Sequence, residues 1–252
     1  MSQELMNEPP NDVISLPSGG LFYANKKSTI KVSYLTAADE NTLTSPNLIQ
    51  SGRVLDVLLA NKILDKDMKA ENLLPGDRNA ILFFLRSTGY GADYEVTLKD
   101  PKDGKNFPYT FDLESIKSKE FLLVPDANSE CSFTLPLTKK QIKFKYLTHA
   151  EDDKISRDDE SRRKKLGKDT VSELMTKRLG AQIMEIDGTR DKSQIQQFVN
   201  DMPVRDSMAV RTFISDNEPG LDLNFGVEAP SGKYFRTELP ITPKFLWPYF
   251  EL

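Results

Sequence analysis

Carboxylates are the only abundant side chains here suited to proton transfer near neutral pH. The 252 residues include 38 Asp and Glu but one His and one Cys. Paired acids do general acid–base work when they face each other across a cleft. Asp100 and Asp103 sit instead on one Pro-Gly turn. The run Glu151-Asp152-Asp153 with Asp158-Asp159-Glu160 is interleaved with Arg157, Arg162, Arg163, Lys164 and Lys165, the pattern of a solvated helix or loop. His149 has no second histidine or spare cysteine beside it. Neither a Ser-His-Asp or Cys-His arrangement nor a zinc site of the usual ligands can be assembled. Cys131 has no partner for an intrachain disulfide. Gly19-Gly20 lacks the Lys-Ser or Lys-Thr of a phosphate-binding loop. The residues therefore assign no catalytic, cofactor-binding or metal position, and no cofactor.

The elements that must hold these groups are written twice. Ile30 to Glu40 returns as Ile142 to Asp152 with six of eleven positions identical, and the last two exchange one acid for the other. Pro75, Gly104, Lys105 and Phe107 recur as Pro203, Gly232, Lys233 and Phe235. The charged run at 152–168 has no counterpart and reads as an insertion. A repeat search precedes any motif assignment, and this one predicts two tandem, internally duplicated units. The first spans 16–125 and the second 126–252, after a flexible N-terminal lead over 1–15. In both copies a strand ends in Thr followed three residues later by an acid (Thr36 and Asp39; Thr148 and Glu151), a capping box that starts a helix. Ala37 stands where the second copy has His149, which makes His149 an exposed surface histidine.

Helical spacing continues through Pro46, Val54–Ile63 and Pro75–Arg86, with Gly89 as a stop. In the second half, Thr170 and Glu173 read as another box. Val171, Leu174, Met175, Leu179, Ile183 and Ile186 read as one helix face ended by Asp187-Gly188. Helices follow over Ser193–Met202 and from Pro203 to about Ser215. Each half closes on a hairpin around a Pro-Gly turn, Tyr94–Leu113 and Leu221–Ile241. The predicted class is α+β, each unit running strand, helices, β-hairpin.

A formal net charge of −4 argues against nucleic acid as the main partner. No apolar run is long enough to span a bilayer. The polar, acidic start is unlike a signal peptide. Two regions remain as candidates for contact with another polypeptide. One is the C-terminal tail with Trp247, Tyr249 and Phe250, since aromatic residues carry interface energy; its alternative is folding back over the second unit. The other is the basic end of the charged run, Arg162 and Arg163, facing an acidic protein.

Four stretches together resemble one family: Leu16-Pro17-Ser18-Gly19-Gly20-Leu21-Phe22-Tyr23, Leu35 to Glu40, Leu73-Leu74-Pro75-Gly76-Asp77-Arg78, and Leu85-Arg86 through Gly91. Their order and spacing are similar to the T4-type bacteriophage baseplate proteins, which include the baseplate hub subunit and the hub assembly protein of contractile-tailed phages. The resemblance covers residues 14–155 and extends to the rest through the repeat. It implies a non-enzymatic assembly factor, or tail-assembly chaperone, whose partners are phage baseplate hub or tail proteins. It would work in the host cytoplasm during virion assembly, or as a structural hub component on the virion baseplate. Relatives carry a Cys-Pro-x-Cys-Gly knuckle at the hairpin, where this chain has Asp100-Pro101-Lys102-Asp103-Gly104, so the resemblance brings no metal. A carboxylate-dependent hydrolase is the alternative from another class, and a nucleic-acid contact through residues 157–168 a third.

Overall fold

The computed structural model describes residues 9–167, 169–241 and 243–248. The chain opens with a hairpin of β1 (Asn11–Ser15) and β2 (Thr29–Ser33), paired antiparallel with Val13 opposite Lys31. Residues 11–15, expected in the flexible lead, are thus a strand. Helices α1 (Ala37–Leu43), α2 (Pro46–Gln50), α3 (Val54–Lys62) and α4 (Pro75–Tyr90) follow, then the hairpin β3 (Asp93–Lys99) and β4 (Asn106–Asp112). The second half runs β5 (Cys131–Thr134), β6 (Gln141–Phe144), α5 (His149–Leu166), α6 (Leu174–Gln182), β7 (Ile183–Ile186), α7 (Lys192–Asp201) and α8 (Val204–Asp216). The hairpin β8 (Asn224–Glu228) and β9 (Tyr234–Glu238) and the short α9 (Pro243–Leu246) complete it. The strands form three two-stranded sheets and one of three strands, β5-β6-β7. The class is mixed α+β. Among the described residues no helix is long and apolar enough to cross a membrane.

Local chemistry explains most boundaries. The Asp39 carboxylate accepts the Thr36 N–H at 2.7 Å and also holds Lys62 Nζ at 2.5 Å. Glu151 accepts the Thr148 N–H at 3.0 Å, and Thr148 Oγ1 accepts the Glu151 N–H at 3.3 Å. Both boxes satisfy donors that a helix start leaves open. Helix α4 passes through Gly89 and ends at Gly91, whose φ of +87° suits a residue without Cβ. Arg86 ties off that end by donating to the carbonyls of Gly91 and Asp93 at 2.6 and 2.8 Å. Two other expectations are corrected. Helix α6 begins at Leu174 with no Thr170 box, and Ile183 to Ile186 leave the helix as β7. Two β-branched isoleucines, Ile183 and Ile186, completing a sheet beside β6 outweigh a helical continuation. Val171 and Met175, assigned to the buried face, are 80% and 54% exposed.

Both halves contribute to one continuous hydrophobic cluster, from Leu16 and Ile30 to Val227 and Phe245. Phe22 meets Tyr146 edge-on at 5.0 Å, and Phe111 meets Phe225 at 4.8 Å. The backbone is also stitched across: Lys119 N–H donates to Gly220 O, and Asp222 N–H to Lys117 O, both at 2.8 Å. At this seam a Cβ on Gly76 would lie 2.0 Å from the Pro219 carbonyl oxygen, so only glycine lets α4 approach. The tail returns as well. Phe245 is fully buried between Phe83 and Tyr94, at 4.6 and 5.1 Å, and so packs on α4 and β3 of the first half.

Candidate functional site

Two fully buried carboxylates fix helix starts, one in each half. Asp77, in the first turn of α4, accepts from Ser18 N–H at 2.9 Å, Ser18 Oγ at 2.6 Å and Tyr23 Oη at 2.5 Å. Tyr23 Oη in turn accepts the Leu74 N–H at 2.9 Å. Asp206, in the first turn of α8, accepts from the Leu137 and Thr138 N–H groups at 2.7 and 3.0 Å and from Thr138 Oγ1 at 2.8 Å. Each pins a helix start to the turn of the hairpin that opens its half. Burial pushes Asp77 above the usual carboxylate range against its hydrogen bonds. Burial acts the same way on Asp206, but the bonds from Leu137 and Thr138 outweigh it and hold that carboxyl low. Sequence reading missed both. The signal was present: Leu16-Pro17 and Leu135-Pro136 precede the donors, and Pro75 and Pro203 precede the acids.

The charged run is a helix with two working faces. Asp152, Ser156 and Asp159, at helical spacing, grip the α6 region. Asp152 binds Arg178 through Nε and Nη2 at 2.5 and 2.7 Å, and Arg178 reaches Ser156 Oγ at 3.3 Å. Asp159 accepts Ser172 Oγ at 2.7 Å and the Glu173 N–H at 2.9 Å. Polar bonds here replace the apolar stripe that usually fastens a helix.

The other face, with His149, Ala150, Asp153, Lys154, Arg157 and Asp158, lines an open cleft of about 750 Å³. The opposite wall comes from α3 and residues 63–71 of the first half. Where they meet, Asp56 Oδ1 receives Arg78 Nη2 and contacts His149 Nε2, both at 2.9 Å. His149 is therefore half-buried and engaged across the two halves, not a free surface histidine. The pairing could not be read locally, although a histidine where the first copy has alanine was its trace. Arg78 is 6% exposed, and its Nη1 is buried with no hydrogen-bond partner among the described residues. Burial lowers its affinity for its proton while Asp56 raises it. Arg53, Lys66, Lys69 and Lys154 stand exposed on the same walls without ion pairs among the described residues. Of the acids there, Asp65 is held by Lys27 and Asp153 by Arg157.

The residues singled out from sequence are not gathered in this cleft. Arg162 donates to the Val171 carbonyl at 2.6 Å and lies 3.2 Å from Asp159, so its charge is used within the chain. Arg163 is exposed. Trp247 is partly buried against the core. Tyr249 and Phe250 lie outside the described residues. Asp100 is buried and accepts from Lys102 N–H at 2.8 Å and Ser231 Oγ at 2.9 Å, linking the two hairpin turns, while Asp103 pairs with Lys105. Cys131 is buried, and burial pushes its thiol up to about 11. Among the described residues no group of three metal-ligating side chains converges.

Compared with known proteins, the chain matches one family model, described as T4 bacteriophage base plate protein, over residues 11–246. No curated protein and no solved structure matches it.

Proposed function

Because this chain belongs to the T4 bacteriophage base plate protein family, we propose that it is a non-enzymatic hub assembly factor that binds phage tail or baseplate hub proteins. The match along residues 11–246 carries the reading. Such a factor binds an unassembled subunit more tightly than the assembled one, and that difference permits release. The work is done in the host cytoplasm, with no nucleic acid required.

The fate of the titratable groups supports a binding role. Asp100, the acid a hydrolase would use, is spent on two turns, and the sole histidine is tied to Asp56. Tandem duplication of an ancestral unit is part of the proposal, since it would supply two similar gripping elements. The tail residues Trp247, Tyr249 and Phe250 and the basic end of α5 are the proposed contacts, with Arg163 ahead of Arg162 because Arg162 is already bonded.

The test is recovery of tagged chain from infected cells, with mass spectrometry of finished virions alongside. Co-purified hub proteins without the chain in virions are the expected result. Presence in virions would make it a structural hub component. Hydrolysis of cell-wall sugar that disappears in Asp100→Asn would refute the reading.

A further inference from the structure

We propose that the cleft between α3 and α5 receives an acidic segment of a partner polypeptide, with a carboxylate of that segment taken by the Arg78 guanidinium. The proposal rests on the reading above that the chain works by binding other proteins, and it names where and what it binds. Its first support is the unsatisfied nitrogen. Buried polar groups are almost always paired, and an unpaired one calls for a specific account. Arg78 spends Nη2 on Asp56 and leaves Nη1 buried with no partner among the described residues, in a residue that lines an open cleft, so an occupant reaches Nη1 only by a small shift of the packing over it. A guanidinium offers parallel donors matched to a carboxylate.

Charge is the second support. Asp56 is shared by Arg78 and His149, Asp65 by Lys27, and Asp153 by Arg157. What is left on the walls is cationic: Arg53, Lys66, Lys69 and Lys154 against Glu71 and Asp158. The volume of about 750 Å³ suits several side chains rather than one small ion. Glu71 and Asp158 break the cationic surface into separate spots, which suits spaced carboxylates better than a continuous phosphate backbone. Finally, the walls come from different halves, so an occupant would clasp the seam.

The experiment titrates the full-length chain, with labelled arginine and histidine side chains, by NMR. The probe is an N-acetylated, C-amidated peptide of alternating glycine and glutamate. Saturable one-to-one binding that moves the Arg78 and His149 resonances is expected, weakening as salt rises. The paired charge reversal Arg53→Glu with Lys154→Glu lies on the exposed rim and spares the core. It should weaken binding by about tenfold or more. Arg78→Gln should abolish the binding if the variant folds, and the rim pair decides the matter if it does not. Absence of saturable binding, or binding indifferent to the rim pair, overturns the proposal. Saturation of the same resonances by inorganic phosphate alone makes this a small-anion site and overturns it too, as does tighter binding of an oligonucleotide. Capture of hub proteins by a chain that ignores the peptide removes this site and keeps the assembly role. Peptide binding without hub capture does the reverse.

Discussion

Replacing Asp77 tests how the first half is held together. The carboxylate serves one fixed donor, the Ser18 N–H, and two hydroxyls that can turn, all on buried residues. An unpaired buried donor costs about 1–3 kcal/mol. Alanine strands all three, and partial reorientation of the hydroxyls leaves an expected loss of ~2–5 kcal/mol. Asparagine keeps one acceptor oxygen but points an N–H₂ at a donor, for ~1–3 kcal/mol. Against a total of about 5–15 kcal/mol, the alanine variant is marginal. For a chain of this size its melting temperature should fall by roughly 4–20 °C. Denaturant midpoints measured for Asp77→Ala, Tyr23→Phe and the double variant should be non-additive by about 1 kcal/mol or more. The sign with pH is also fixed. The folded carboxyl sits above its unfolded value, so the folded state binds the extra proton. Its contribution is full below about pH 4, the unfolded value, and is lost as pH rises through the folded one. The stability gap between the wild type and Asp77→Ala should therefore narrow as pH rises from that point. A loss below about 0.5 kcal/mol, strict additivity, or a gap that widens with pH would refute the argument.

Asp206→Ala should show the opposite pH trend. Its folded carboxyl is held low, so the wild-type advantage is present above the unfolded value and disappears as pH falls through the folded one; paired acid titrations followed by circular dichroism check this. Gly76→Ala drives a methyl into the Pro219 carbonyl and should cost about 1–3 kcal/mol, read as a lower denaturant midpoint. Lys62→Met leaves the Asp39 carboxylate buried without its cation, for ~3 kcal/mol, while Lys62→Met with Asp39→Asn should recover part of that in a double-mutant cycle. Phe245→Ala opens a void beside Phe83 and Tyr94 and should cost about 3–5 kcal/mol by thermal unfolding.

What could be read from sequence was what is local. The Thr36–Asp39 and Thr148–Glu151 boxes span three residues, and the closing hairpins announce themselves by turn residues. Both survive because neither depends on the rest of the chain. Ile183 and Ile186 were misread because their spacing also fits a helix face, and only the neighbouring β6 edge decides otherwise. β1 was missed for the same reason, since its partner β2 lies beyond a long turn. The α5 face that holds α6 was invisible to hydrophobic periodicity because it binds through Asp152, Ser156 and Asp159. The cleft was wholly non-local: Asp56, Arg78 and His149 come from three helices and both halves.

The seam also has a consequence for synthesis. Gly76 must await Pro219, and Ser118 must await Leu221. At about 5–20 residues per second, the ribosome delivers those later residues on the order of ten seconds after the earlier ones. For that interval the nascent N-terminal half carries uncovered apolar surface and open backbone groups. Contacts so distant along the chain also slow folding once all residues are available. A circular permutant with new termini between Val124 and Asn128 would reverse the order of emergence, and its refolding rate would report which half waits for the other.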